Sequence, residues 1–443
     1  MQFDLVLLGG NLVSSTREES ADVGILDGKI AAIGSLQGAP AKEVVSIRGL
    51  SLLPGVIDTQ VHFREPGLEH KEDIESGTRA AVMGGVTTVL EMPNTTPATV
   101  SAEALADKVN RAKGNAWCNI GFFVGASAEN IDQLLELERL PGTPGIKLFM
   151  GSSTGSLLVP DDDSVRAVLS QTKRRVPVHS EDHSRLEARR TEFENPSVKD
   201  HPLIRDAECA RLCTERLIRI AGETGAKVHL LHVSTADEIP MVIAARNNGV
   251  DITSEVTPQH LWFAWPEAYE KWGSHVQMNP PIRSVEHRDA LRAALKSGFF
   301  TVFGSDHAPH TLEEKAQPYP KSPSGIPGVQ TLLSVLLTIG KNFDLFDLKT
   351  FVKMACEAPA ELYGITGKGK IEEGMDADLI AIDEEATFTL EKRWLESKCG
   401  WSPFVGETLQ APPVHVWIGG EFAVRDRVRT ANPLGTIPTF DPR

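Results

Sequence analysis

The stretch Asp58-Thr59-Gln60-Val61-His62-Phe63-Arg64-Glu65-Pro66-Gly67 sets an imidazole and a guanidinium two residues apart, behind the apolar run Leu52-Leu53-Pro54-Gly55-Val56-Ile57. If that run is a strand, side-chain alternation puts His62 and Arg64 on one face at its carboxyl end. One is a metal ligand when neutral, and the other is a planar cation that grips a carboxylate. Comparable groups close other apolar runs: Asn94 after residues 87–92, Lys147 within 145–149, His179 ending 176–179, His232 ending 228–232, and Asp306 just past 300–304. Any one of these histidines is accounted for by packing. Three histidines, a lysine and an aspartate at different strand ends of one sheet point instead to a metal site.

Neutral imidazole and carboxylate suit zinc and similar divalent ions. Such an ion makes a bound water acidic enough to act near neutral pH. Asp306 is placed to take a proton from it and deliver the proton to a departing nitrogen, which is general acid–base work. Lys147 is the odd member, since an ammonium repels a cation. Burial drives a lysine toward its neutral form, and a neutral amine adds carbon dioxide to give a carbamate that bridges ions as a carboxylate does. An ion pair inside the sheet is the structural alternative.

The elements that must position these groups repeat. From about residue 55 to 368, eight strand-like runs (ending near 62, 92, 124, 149, 179, 232, 255 and 304) alternate with alanine-rich segments of helical spacing such as 72–83, 102–112 and 209–221. Eight βα units predict an α/β fold, a closed (β/α)8 TIM-type barrel whose site lies at the carboxyl ends of its strands. An open doubly wound sheet is the rival, but no Gly-x-Gly-x-x-Gly turn marks a dinucleotide site. Residues 1–54 read as short strands with tight turns, Asp27-Gly28 being a hairpin signal. The pattern returns in 369–443, where Ile418-Gly419-Gly420 echoes Leu8-Gly9-Gly10. Both chain ends are therefore expected to build one small β-sandwich domain around the barrel of 55–368. The Pro- and Lys-rich loop 313–323 is expected to form a mobile rim element.

Composition limits the rest. With 443 residues, 41% hydrophobic and 24% charged, the chain is an ordinary soluble globular protein with ample core. A formal net charge of −15 argues against nucleic acid and anionic membrane as partners, since both would repel it. The five cysteines (118, 209, 213, 356 and 399) contain no Cys-x-x-Cys pair, and their odd number and scatter fit reduced thiols in a cytoplasm. The amino terminus shows no secretory pattern, and no run of about eighteen apolar residues predicts a membrane span.

The motifs together resemble the dihydroorotases of the amidohydrolase superfamily, in its cyclic amidohydrolase branch. They are Asp-x-x-Val-His-Phe-Arg-Glu-Pro-Gly ending at Gly67, Met-Pro-Asn-Thr-x-Pro at 92–97, His-Val-Ser-Thr at 232–235, Asn-Pro-Pro-Ile-Arg at 279–283, Gly-Ser-Asp-His-Ala-Pro-His at 304–310, and Gly-Met-Asp-Ala-Asp-Leu at 374–379. The resemblance implies a hydrolase that reversibly opens L-dihydroorotate to N-carbamoyl-L-aspartate in pyrimidine biosynthesis. It implies zinc, one or two ions, held by His62, Lys147 as carbamate, His179, His232 and Asp306, with Asp306 catalytic. It also implies substrate contacts from Arg64, Asn94, Asn279 and His310, and from the backbone at Gly325. The chemistry agrees: Arg64 pairs bidentately with the substrate carboxylate, and Asn279 offers a donor and an acceptor to an imide edge. Allantoinases and hydantoinases share barrel and metal; Asn94 and Asn279 lie in the dihydroorotase-like versions of their motifs.

One departure stands out. The family begins its metal site with His-x-His, and this chain has Gln60-x-His62. An amide oxygen is a poorer ligand than imidazole, so the first of two metal positions is weakened. Three outcomes follow: two ions held by the charge of Lys147 and Asp306, one tightly held ion, or a non-catalytic homologue like the dihydroorotase-like scaffold subunits that brace aspartate transcarbamoylase. Only this ligand has changed and the substrate set is intact, which favours an enzyme. A homodimer and a pyrimidine-pathway enzyme partner are the assemblies the resemblance brings with it.

Overall fold

A computed structural model describes residues 2–152 and 157–441, so Met1 and the last two residues of the tail lie outside it. Its centre is a ring of parallel strands: β1 (Val56–Val61), β2 (Val86–Glu91), β3 (Asn119–Phe122, continued by Val124–Gly125), β4 (Ile146–Phe149), β5 (Val176–His179), β6 (Val228–Leu230), β7 (Ile252–Val256) and β8 (Val302–Phe303). Each pairs in parallel with the next. The ring closes just beyond β8, where the carbonyl of His307 accepts the His62 N–H at 2.7 Å. The Asp58 carboxylate reinforces the seam by accepting the Ser305 N–H at 3.0 Å. These strands are buried almost throughout on both faces because helices cover one side and the barrel interior the other. The expected (β/α)8 barrel is thus the observed architecture.

Local signals set the helix limits. The helix Ile74–Met83 begins where the Asp73 side chain accepts the Ser76 N–H at 2.8 Å, and it stops at Gly84. The periodic segment 209–221 belongs to a longer helix, Ala207–Thr224, extended backward by the Asp206 cap and ended by Gly225 at φ +67°. None of the described helices is long and apolar enough to cross a membrane.

Both chain ends share one sheet. Strand Ser51–Pro54 pairs antiparallel with Leu379–Ile382, joining the five amino-terminal strands to the carboxyl-terminal ones. The sheet curls over its own core, which includes Leu7, Val23, Ile30, Leu52, Leu379 and Trp417. Asp27-Gly28 makes the expected hairpin, both residues at positive φ, between Glu18–Leu26 and Lys29–Gly34. The echo of Gly-Gly between the two ends is only partial. Gly419-Gly420 is a hairpin turn, but Gly9-Gly10 lies inside the strand Phe3–Val13 as a bulge. The reason is steric: a side chain at Gly10 would collide with Ile47.

The Gly374–Asp378 turn has a structural purpose. The Asp378 carboxylate accepts from Asn119 Nδ2 in the barrel at 2.7 Å and from the Gly419 N–H in the small sheet at 2.8 Å. Its carbonyl accepts the Gly55 N–H at 2.8 Å, at the start of β1. One residue therefore ties the strand bearing Gln60 and His62 to the small domain.

Candidate active site

The polar groups collect at the carboxyl ends of the barrel strands. Gln60 lies in β1 and His62 one residue past it, Lys147 lies in β4, His179 ends β5, His232 follows β6 and Asp306 follows β8. His232 and Asp306 adopt positive φ (36° and 45°), as does Arg64 (68°). Such strained non-glycine backbone clusters at functional sites. Arg64 corrects one expectation: β1 ends at Val61, so alternation does not put Arg64 beside His62. Its left-handed conformation instead turns the guanidinium toward Pro309 and His310.

Asp306 Oδ1 lies 3.1 Å from Gln60 Nε2 and 3.2 Å from His62 Nε2. Across a chamber of about 20 Å³, His179 Nδ1 and His232 Nε2 stand 3.2 Å apart. Phe149, Asn279, Ala308, Ser324 and Gly325 complete the lining. That volume holds one water. The Lys147 ammonium is fully buried, without a hydrogen-bond partner among the described residues, 4.5 Å from the centre of the Phe149 ring.

The tautomers are assigned by their neighbours. His179 Nε2 meets Glu181 Oε2 at 2.9 Å, and Arg205 Nε pairs with the other Glu181 oxygen at 3.1 Å. Burial pulls the Glu181 carboxyl upward, but Arg205 and His179 outweigh it and hold it well below the ordinary carboxylate range. Glu181 is therefore an acceptor, His179 Nε2 carries the proton, and its Nδ1 lone pair faces His232. In the same way His62 Nδ1 donates to Asn94 Oδ1 at 2.7 Å and leaves the Nε2 lone pair toward Asp306. Burial holds all three imidazoles neutral by lowering their pKa. Burial also pushes Asp306 up to about 7, with Glu255 adding to the effect, and Lys147 down to about 7.

Among the described residues no three His, Cys, Asp or Glu side chains yet converge as a cage; the donors stand as two facing pairs. Their chemistry fits a divalent cation. The His179 Nδ1 lone pair faces His232 Nε2 and the His62 Nε2 lone pair faces a carboxylate, beside a buried amine and a buried Gln60 Oε1 that both lack partners among the described residues.

The residues expected to hold substrate lie nearby. Arg64 is buried, donating from Nε to Pro309 O at 3.2 Å with Nη2 3.3 Å from His310 Nε2. Lys71 Nζ lies 3.2 Å from His310 Nδ1, so the His310 proton sits on Nε2 and goes to Ser324 O at 3.0 Å. Arg64 Nη2 thus finds no acceptor in His310, and no carboxylate lies within ion-pair distance of Arg64 among the described residues. Asn94 sits beneath His62 and orients it. Asn279 Oδ1 meets His201 Nε2 at 3.1 Å. Gly325 has both backbone groups engaged, its N–H with Gln277 O at 2.8 Å and its carbonyl with Lys315 Nζ at 3.1 Å. Its importance is close approach, since a Cβ there would strike Ala308 O and the His310 ring.

A mouth of about 610 Å³ leads to the chamber and shares Asn279 and Ser324 with it. Residues 319–323 of the 313–323 segment form its rim. The segment is not a loose flap: the buried Lys315 ammonium holds it through the carbonyls of Gln277, Pro323 and Gly325. Sequence reading did not single out Glu181, Arg205, His201 or Glu255. Glu181 lies two residues past His179, a usable signal. Arg205 and His201 come from a long excursion after β5 that carries no motif.

Residues 51–423 match the model of the amidohydrolase family. A dihydroorotase from Methanosarcina mazei is 34% identical over 402 residues, 88% of this chain and 87% of that protein. An allantoinase from Escherichia coli is 32% identical over 429 residues, 93% of each. The L-hydantoinase (dihydropyrimidinase) of Arthrobacter aurescens superposes with a TM-score of 0.94 at 26% identity, covering 99% of this chain and 100% of that one. Relatives of different names thus stand at nearly equal distance, and dihydroorotase is not singled out among them. With a family-model match over residues 51–423 and relatives above 30% identity along most of its length, the chain belongs to the amidohydrolase family.

Proposed function

We propose that the protein hydrolyses the cyclic amide of a ring bearing a carboxylate, with L-dihydroorotate opened reversibly to N-carbamoyl-L-aspartate as the reaction. Names among its relatives support the cyclic amide. The observation that selects the carboxylate is Arg64, a buried guanidinium beside the chamber with no carboxylate in ion-pair distance among the described residues. Burial lowers its pKa to about 10, so it is still a cation at neutral pH. Asp306, Glu91, Glu314 and Glu72 favour the charge from a distance without pairing with it, and a substrate carboxylate would pair with it bidentately. Allantoin and hydantoin carry no such group.

His62, Lys147 as carbamate, His179, His232 and Asp306 would hold zinc or a similar ion. When bound, that ion supplies Lewis acidity, polarising a carbonyl and acidifying water. The protein's own groups do the rest. Arg64 holds the carboxylate end, and Asn279, at the junction of mouth and chamber, meets the imide edge. The tight chamber leaves room for one reacting water. As water adds to the ring carbonyl and the ring C–N bond breaks, Asp306 accepts the proton water loses and returns it to the departing nitrogen. Burial suits it to this, because a carboxyl near 7 both takes and gives protons at neutral pH.

The test is turnover of L-dihydroorotate, allantoin and hydantoin by purified protein supplied with zinc and bicarbonate. Dihydroorotate alone should react. Turnover of allantoin or hydantoin instead would discard the substrate and keep the hydrolase. Silence on all three from folded, metal-loaded protein would sink the enzyme and leave the scaffold role for aspartate transcarbamoylase.

A further inference from the structure

Gln60 is buried in β1, and the two ends of its amide are in different circumstances. Nε2 donates to Asp306 Oδ1 at 3.1 Å, while Oε1 is buried without a partner among the described residues. His62 Nε2 approaches the same aspartate oxygen at 3.2 Å. Gln60 therefore fills its side of the corner with N–H groups of positive partial charge, which oppose a cation there, and His62 Nε2 brings a single lone pair, turned to Asp306. Turning the amide to offer Oε1 would cost the bond to Asp306. It would also move two N–H donors into the place where Oε1 now finds no partner. Across the chamber the situation is opposite. His179 Nδ1 presents a lone pair, fixed by Glu181 on the far side of the ring, and faces His232 Nε2 at 3.2 Å.

We infer that the chamber holds one tightly bound divalent cation, against His179 and His232, and that Gln60 is a positioning residue that anchors Asp306 where a second cation would otherwise do so. The amide fixes one carboxylate oxygen and leaves the other to handle the proton. This rests on the metal-dependent hydrolase reading of the site but not on the identity of its substrate.

The test is metal stoichiometry, read without turnover. Metal-stripped protein reloaded with zinc and bicarbonate and then desalted should retain about one equivalent, and the Gln60→His protein about two, because imidazole brings a lone pair into the corner. Loaded with manganese, the unaltered protein should give the paramagnetic resonance of isolated ions, and Gln60→His the spectrum of a spin-coupled pair. Two equivalents or a coupled spectrum from the unaltered protein would overturn the inference, as would no retained metal. A single ion in folded Gln60→His would overturn the part assigned to Gln60. The unaltered protein's stoichiometry is decisive even if the variant does not fold. One ion without dihydroorotate turnover would discard the substrate and spare this inference; two ions with turnover would do the reverse.

Discussion

In the proposed reaction Asp306 and Arg64 divide the chemistry at the level of single side chains. Asp306 has the geometry and the raised pKa of a proton carrier, and Asn in its place keeps the size but loses the proton traffic. Asp306→Asn should fold normally and lose about 10²–10⁴-fold in kcat, the range for a general acid–base group; near-normal turnover would end its assigned role. Arg64 acts on binding. Arg64→Met should raise KM for dihydroorotate far more than it lowers kcat, costing about 2–5 kcal/mol in kcat/KM because the substrate carboxylate is left buried and unpaired. An unchanged KM would remove Arg64 from the substrate site. Asn94 shows how a residue's place refines its reading: its carbonyl oxygen orients His62, so it acts on the His62–Asp306 side of the chamber.

Elements hold these residues through a buried carboxylate. Glu255, in β7, accepts Thr59 Oγ1 from β1 at 2.8 Å and the His232 N–H beyond β6 at 3.3 Å. It thereby secures a histidine whose backbone is at φ 36°. The neighbouring strand accommodates it only because residue 304 is glycine: a Cβ there would overlap the carboxylate. Gly304→Ala should destabilise the fold by about 1–3 kcal/mol, as overpacking of a closed core does, and should weaken metal retention through His232. A denaturant midpoint equal to that of the unaltered protein would contradict this account of Glu255.

Across the whole molecule, burial of histidine makes stability depend on pH. His260 Nε2 donates to Pro280 O at 3.1 Å and its Nδ1 meets Thr257 Oγ1 at 2.9 Å; burial holds the ring neutral, lowering its pKa to about 4 against the pull of the Pro280 carbonyl. The unfolded chain binds its proton below about 6.5 and the folded chain does not until about 4, so its contribution is full above about 6.5 and falls as pH drops through that window. Asp58 and Glu91, raised to about 7 by burial, run the opposite way between about 4 and 7, because the folded state binds the extra proton. A single variant separates the two. His260→Asn should be less stable than the parent at about pH 7.5, and the gap should narrow by about 1 kcal/mol at about pH 5.5. A gap constant across denaturant melts at both pH values would refute the neutral buried imidazole.

The chain by itself determined the barrel and the groups it presents. Apolar runs every few tens of residues, each closed by a polar side chain, are local patterns, and the strand-end rule of parallel barrels carries them to one face. Asp27-Gly28 and Gly419-Gly420 were legible as turns for the same local reason, whereas Gly9-Gly10 was not, because its bulge answers Ile47 from another strand. Only the tertiary structure decided which way lone pairs and protons point. That depended on Glu181 and Arg205 behind His179, Asn94 behind His62, and the amide of Gln60 turned to Asp306, all contacts between residues distant in sequence or past a strand end. It also decided that Arg64 leaves the strand in a left-handed turn and that the 313–323 rim is clamped by a buried lysine. Periodicity reports what a residue's neighbours in sequence require, and hydrogen-bond direction is set by neighbours in space.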